Sequence, residues 1–273
     1  MNGNFLKASP LILSIILLAC VGCTSSEASV QTAIALTRAE MPTDTSIPHT
    51  ATPTITLPPS PTFTLTATQT LTPSPTPSKF FTEEFDQPLN EHWAMQIYGP
   101  NKKQISKVKS QVKDGDLEVK ITGENIYVYY FYDQFSYTNV RLDMRAENSG
   151  RRSNNISLIC RKSDEGWYEF SVGSDAVWYL FYAYISKNTS NTMYTLIASG
   201  ATLALKQGSD TNEFTMICDG EKITMMVNGM ELIGSPVRET IYKLKGGSVG
   251  MNVSSLSVTP VIVDVEWLKI SQP

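Results

Sequence analysis

The stretch at residues 212–232, NEFTMICDGEKITMMVNGMEL, restricts the fold more than any other part of the chain. Two short runs of alternating character each end at a two-residue turn signal, Asp219-Gly220 and Asn228-Gly229. Such pairs are strong hairpin signals, because both central residues of a type I′ turn need positive φ. Phe214, Met216 and Cys218 share one face of the first run, and Ile223, Met225 and Val227 share one face of the second. Glu213, Thr215, Lys222 and Thr224 point the other way, so the stretch reads as a meander packed on one side. Cys218 therefore faces inward. Cys160 does the same in NNISLICR, beside Ile156 and Leu158.

The other end of the chain supplies an address. Residues 1–23 read as a lipoprotein signal: Lys7 precedes an apolar run from Pro10 to Cys20, shorter than the roughly 20 apolar residues that span a bilayer. Leu17-Leu18-Ala19-Cys20 has the lipobox pattern of an apolar residue, a small residue, then the lipidated cysteine. Cys23, with Gly22 before it, is the rival, and an ordinary cleaved signal is the alternative to both. The expectation is an exported chain, lipid-anchored through Cys20 to the outer face of a bacterial membrane, where several acyl chains make a stable anchor.

Residues 24–79 are rich in Thr, Pro and Ser and lack the apolar surface to offset ordering entropy, so they read as a disordered linker. Extended, such a linker reaches about 170 Å at roughly 3.1 Å per residue. His49 sits in it and is no candidate catalyst. That leaves residues 80–273 as one domain, large enough to bury a core of its own. Because an exported domain is oxidised, Cys160 and Cys218 are expected to form a disulfide joining two strands.

The net charge of −4 gives no clustered basic footprint for nucleic acid. Lys103, Lys107, Lys109 and Lys113 stud one strand-like run at 105–112, as in a solvated edge strand protected against aggregation. Further strands are expected at 116–121, 126–132, 137–146, 155–161, 167–173, 177–185, 193–198, 248–253 and 261–270, with 87–93 as a loop. Short strands between turn signals, with no helical periodicity, mean an all-β sandwich or barrel.

FTEEFD, DGDLEV, ICR followed by GWYEF, the meander above, GGSVGM and a closing VDVEWLKI occur in that order. Together they resemble the concanavalin A-like lectin/glucanase jelly roll. More closely they resemble laminin-G-like domains and the domain named after 3-keto-disaccharide hydrolases. The resemblance covers nearly all of 80–273 and implies a two-sheet jelly-roll sandwich. It leaves function open, since lectins, hydrolases and adhesion modules share that fold.

Catalysis finds little support. Glycosidases need two carboxylates across a cleft, about 5 Å or about 6.5–9.5 Å apart. Jelly-roll laminarinases carry theirs on one strand as Glu-x-Asp-x-x-Glu or Glu-x-Asp-x-Glu, and neither pattern occurs here. Asp114, Asp116 and Glu118 read as a turn and the wet side of a hairpin. Asp264 and Glu266 read as solvent-facing, with Val263, Val265 and Trp267 core-facing. His92 is the domain's only histidine, and no Cys/His cluster suggests zinc. Laminin-G-like domains often bind calcium through loop carboxylates and carbonyls, so the resemblance leaves calcium open. No loop here spells out its ligands, and no other cofactor is implied.

A binding face is better supplied. If the loops KSDEG and SDA close simple hairpins, Cys160 pairs with Tyr168 and Phe170 with Leu180. Ile156, Leu158, Cys160, Tyr168, Phe170, Val172, Trp178, Leu180 and Tyr182 then point inward. Arg161, Trp167, Glu169, Ser171, Tyr179 and Phe181 collect on the opposite face. Aromatic rings beside a charged group suit a saccharide, whose C–H face stacks while its hydroxyls hydrogen-bond. A cation–π pair of Trp167 with Arg161, or packing beneath a loop, is the competing account. The expectation is a surface lipoprotein whose domain binds a polysaccharide or other glycan through Arg161, Trp167, Glu169, Tyr179 and Phe181, without catalysis. The alternatives are a glycoside-processing hydrolase and a structural or sensory envelope protein with a protein partner.

Overall fold

The computed structural model describes residues 78–273; the expected signal, with Cys20 and Cys23, and nearly all of the expected linker lie outside the described residues. Sixteen strands follow one another. The first six are β1 (Phe81–Glu83), β2 (Trp93–Tyr98), β3 (Val108–Lys113), β4 (Asp116–Ile121), β5 (Tyr127–Tyr137) and β6 (Val140–Asn148). Then come β7 (Asn154–Ser163), β8 (Gly166–Gly173), β9 (Val177–Ile185), β10 (Thr192–Ala201) and β11 (Thr211–Asp219). The last five are β12 (Lys222–Val227), β13 (Met230–Glu231), β14 (Val237–Arg238), β15 (Gly247–Ser255) and β16 (Val261–Ser271).

They form two antiparallel sheets. A nine-stranded sheet runs β13-β12-β11-β6-β16-β4-β3, with β1 added to β16 and β14 to β12. A seven-stranded sheet runs β10-β9-β8-β7-β15-β5-β2. Strands adjacent in sequence often sit in different sheets, which makes the sandwich a jelly roll. The core lies between the sheets, where Leu142, Met216 and Val263 meet Tyr130, Leu158 and Phe170.

The hairpins form where turn chemistry allows. Asn228-Gly229 and Asp114-Gly115 both have positive φ at each central residue, as type I′ requires. The Asp219-Gly220 turn sits one residue further on: Asp219 pairs with Lys222, and positive φ falls on Gly220 alone, the type II′ pattern. Cys160 in β7 and Cys218 in β11 are disulfide-bonded, with Cα atoms 6.7 Å apart, so the bridge ties one sheet to the other. Closing its 58-residue separation stabilises the fold by about 4 kcal/mol in the chain-entropy model.

Three elements differ from the sequence reading. The chain beyond the expected loop forms β2, which pairs with β5; its single large buried residue, Trp93, gave little alternation to read. The 105–112 run begins as a 3-10 turn at Ile105–Lys107 before β3, and β3 is indeed a sheet edge with Lys109 and Lys113 exposed. A bulge between Val265 and Trp267 shifts the parity of β16. Leu268 and Ile270 therefore enter the core, and Trp267 stays partly exposed.

Candidate functional site

β8 reads GWYEFSVG, and its alternation sends Tyr168, Phe170 and Val172 into the core and Trp167, Glu169 and Ser171 to the other face. The expected pairings hold: Cys160 is opposite Tyr168 and Phe170 is opposite Leu180. Register then builds two rows across five strands of the outward face. One is Phe181, Glu169, Ile159, Gly250 and Phe131; the other is Tyr179, Ser171, Ser157, Asn252 and Tyr129.

The first row explains why this face is closed over at one end. A Cβ on Gly250 would lie 2.3 Å from the Tyr130 carbonyl oxygen and 3.0 Å from Cδ1 of the Phe131 ring. With no side chain there, the Phe131 and Tyr129 rings reach across β15. Each meets Trp167 at 5.7 Å in an edge-to-face arrangement. Tyr129, Phe131, Ile159, Trp167 and Ala183 thus form a second apolar cluster outside the sandwich core.

Trp167 is consequently only 1% exposed. The expectation that it offers an open stacking surface is corrected: its parity was right, but aromatics from β5 cover it. Arg161 is corrected too. Pairing slips between Cys160 and Ser163, and Arg161 takes a φ of 55°, so alternation stops predicting its direction. Its guanidinium donates to the carbonyls of Thr138 at 3.0 Å and Leu244 at 3.1 Å, at the far end of β7 from Asn155.

Glu169 is on the expected face but buried, 2% exposed. Its Oε2 accepts from Trp167 Nε1 and the Tyr129 hydroxyl, each at 3.0 Å. Its Oε1 accepts from Asn252 Nδ2 at 3.0 Å. Burial pushes its pKa above the ordinary carboxylate value, and these donors offset part of that rise. The Tyr129 hydroxyl also shares a short hydrogen bond with the Tyr194 hydroxyl; burial holds both phenols well above their usual range.

Beside this network the face opens into a cavity of about 180 Å³ lined by Tyr127, Asn155, Glu169, Ser171, Phe181, Tyr194, Ser254 and Leu256. Phe181 stacks on Tyr179 at 5.4 Å with an interplanar angle of 12°, and meets Tyr194 edge-on at 5.2 Å. Of the five expected contact residues, Glu169 and Phe181 line the cup, Tyr179 flanks it, Trp167 lies beneath the neighbouring rings and Arg161 is elsewhere. Sequence reasoning missed Tyr127, Asn155, Tyr194, Ser254 and Leu256 as cup residues. In the strand expected at 126–132, Val128 to Tyr132 are buried, whereas Tyr127 is partly exposed. Tyr194 and Ser254 arrive from strands whose order in the sheet no local pattern reveals.

The acid pairs weighed as catalytic sets lie elsewhere. Glu118 and Asp264 sit opposite each other on the outside of the nine-stranded sheet, and Glu266 pairs with Arg145 at 2.8 Å. Among the described residues no group of three or more His, Cys, Asp or Glu is placed to hold a metal ion.

No family model and no curated protein matches the chain. Solved structures do resemble it. LamAcat from Zobellia galactanivorans is 12% identical with a TM-score of 0.50, over 70% of this chain and 96% of that one. A GH16 protein of the Bacteroides ovatus mixed-linkage glucan locus, in complex with a G4G4G3G product, is 11% identical with a TM-score of 0.50, over 70% and 99%. At such identity the likeness is one of fold, the concanavalin A-like jelly-roll sandwich.

Proposed function

We propose that the domain is a carbohydrate-binding module whose cup takes a saccharide unit without cleaving it. One observation carries this reading: a single buried carboxylate, Glu169, lies at a cavity walled by Tyr127, Phe181 and Tyr194. Rings of that kind stack on the apolar face of a sugar, and Asn155, Ser171 and Ser254 can meet its hydroxyls. The volume is below the ~300 Å³ at which pockets for drug-sized ligands begin, so the cup suits one ring of a chain. The two solved structures above include one that holds a glucan product, which supports a glycan as the partner here. Stacking in an open cup competes with water, so an affinity of roughly −8 to −4 kcal/mol is expected.

Hydrolysis needs a second carboxylate, and among the described residues none lines the cup beside Glu169. The raised pKa of Glu169 is the one feature that favours a hydrolase, since a general acid must hold its proton. The lipobox at Cys20 and the Thr/Pro/Ser-rich linker complete the proposal, with the module exported and tethered to the outer face of a bacterial membrane. A glycan array on the full chain tests the ligand. Saturable binding without release of reducing ends supports the module, release of products that Glu169→Gln abolishes supports the hydrolase, and no glycan binding overturns both.

A further inference from the structure

A second cavity lies at the opposite end of β7 from the cup. It measures about 290 Å³ and is lined by Arg161, Lys243, Lys245, Glu239, Glu221 and the Thr138–Asn139 turn, among others. Arg161, 4% exposed, lines it. Carbonyl oxygens of Thr138 and Leu244 hold Nε and Nη1, which leaves Nη2 with no protein acceptor among the described residues. Carbonyl clamps of this kind fix a guanidinium without neutralising it.

The lining is net positive, with Arg161, Lys243 and Lys245 against Glu221 and Glu239. The oxygens of Glu239 are already engaged. Its Oε1 accepts from the backbone N–H groups of Ile241 at 2.6 Å and Tyr242 at 2.8 Å, and its Oε2 from Lys243 N–H at 3.0 Å and from the Tyr168 hydroxyl. Those donors hold its pKa below the usual carboxylate value although burial opposes them. Glu221 is paired with Arg238 at 2.8 Å. Asp219 is the remaining acid whose field reaches Arg161, and it is exposed at the end of β11. Arg161, Lys243 and Lys245 are in no ion pair among the described residues.

The backbone is a second, independent observation. Arg161 and Lys243 have φ of 55° and 54°, a left-handed conformation that suits Gly, Asn or Asp and is unfavourable for long side chains. Both are cavity residues. Strained backbone gathers where a site requires a particular geometry. Here it brings Arg161 of β7 and Lys243 of the segment between β14 and β15 to one hollow.

We propose that this cavity is an oxyanion site, in which Arg161 with Lys243 and Lys245 receives a carboxylate or sulfate group. Arg161 supplies the fixed hydrogen-bond donor, and the lysines supply mobile charge at the rim. The cavity has room for the group and a small body attached to it. The site is separate from the cup and stands whether or not the cup binds a saccharide.

Titration calorimetry on the full chain tests this with sodium sulfate and sodium glucuronate, against sodium chloride at equal ionic strength. Saturable binding of either probe, with no matching response to chloride, is the expected result. Binding of glucuronate alone, weakened by Lys243→Gln/Lys245→Gln, assigns the site to carboxylates. Glucuronate binding that this change leaves intact belongs to the cup and overturns the proposal. Binding of sulfate alone assigns the site to sulfate. In Lys243→Gln/Lys245→Gln, affinity should fall about tenfold, the equivalent of ~1.4 kcal/mol. Arg161→Gln should lose binding altogether. If that variant fails to fold because two carbonyls lose their donors, the lysine variant alone decides. The proposal is overturned if neither probe saturates, if chloride acts equally, or if the folded lysine variant binds as tightly as the wild type.

Discussion

The two sheets turn different faces outward. The back of the nine-stranded sheet carries Glu118, Arg141, Asp143, Arg145, Glu213, Asp264 and Glu266, joined by ion pairs such as Arg141–Asp143 at 2.7 Å and Arg145–Glu266 at 2.8 Å. The outward face of the seven-stranded sheet carries Tyr127, Tyr129, Phe131, Trp167, Tyr179 and Phe181 around one carboxylate. Both faces lie opposite the same core, and either could have been an ordinary solvated surface. Ion pairs partly open to solvent, as these are, are worth little individually, so single changes on the back face should cost little. A buried carboxylate among aromatics is costly unless every partner is in place. A face built at such a cost implies a use.

The largest effect expected from this contrast is on folding. Trp167 is as buried as the core residue Phe170, each 1% exposed. Trp167→Ala and Phe170→Ala should each destabilise by about 3–5 kcal/mol through the cavity left behind. Urea unfolding checks this. A loss below about 1 kcal/mol for Trp167→Ala would place that residue on an ordinary surface and erase the distinction between the two outward faces.

Glu169 gives a smaller effect with a characteristic pH dependence. Glu169→Gln keeps the shape but sets an amide N–H₂ against donors, costing about 1–3 kcal/mol. In the wild type the folded state holds the Glu169 proton more tightly than the unfolded state, because burial raises its pKa from the ordinary 4.5. Stability contributed at low pH is therefore lost as pH rises from 4.5 through the raised value. Unfolding measured across that window should show the wild type losing stability relative to Glu169→Gln as pH increases. A wild type that instead gains on the variant would mean a carboxylate stabilised in its charged form.

Tyr194→Phe removes one hydroxyl from the network and should cost about 1 kcal/mol of stability. Any glycan found on the array should bind it more weakly, because Tyr194 lines the cup. Unchanged affinity would show that the Tyr194 hydroxyl takes no part in binding and leave its role to the ring.

The fold was legible in the sequence to the extent that alternation and turns carry it. The inward set from Ile156 to Tyr182, the pairing of β8 with β7 and β9, and the disulfide follow from parity, because a one-residue slip exchanges the two faces. Parity failed where the ladder slips, at Arg161 and at Trp267. It also carries no information about what lies above a face. Trp167 was placed on the correct side, and its burial depends on Gly250 and on two rings from β5, brought beside it by non-local strand order. The cup was half legible for the same reason: β8 and β9 are sequence neighbours, whereas Tyr127, Tyr194 and Ser254 come from strands that only the assembled sheet brings together.

The smallest effect belongs to the back face. Glu118 and Asp264 stand directly opposite each other across β4 and β16, and like charges so placed are mildly destabilising. The same crowding of acids, after burial, raises the pKa of nearby Asp116 through Glu266, Asp264 and Asp114. Glu118 Oε1 accepts from Gln111 Nε2 at 2.9 Å, and a glutamine can keep that bond while losing the charge. Glu118→Gln should therefore leave stability unchanged or raise it by up to about 0.5 kcal/mol, with glycan binding unaffected. Added calcium should change the stability of the wild type and the variant to the same extent. A loss above about 1 kcal/mol, or calcium stabilisation seen only in the wild type, would show that the charged back face also holds a site, and the contrast between the two faces would fail there.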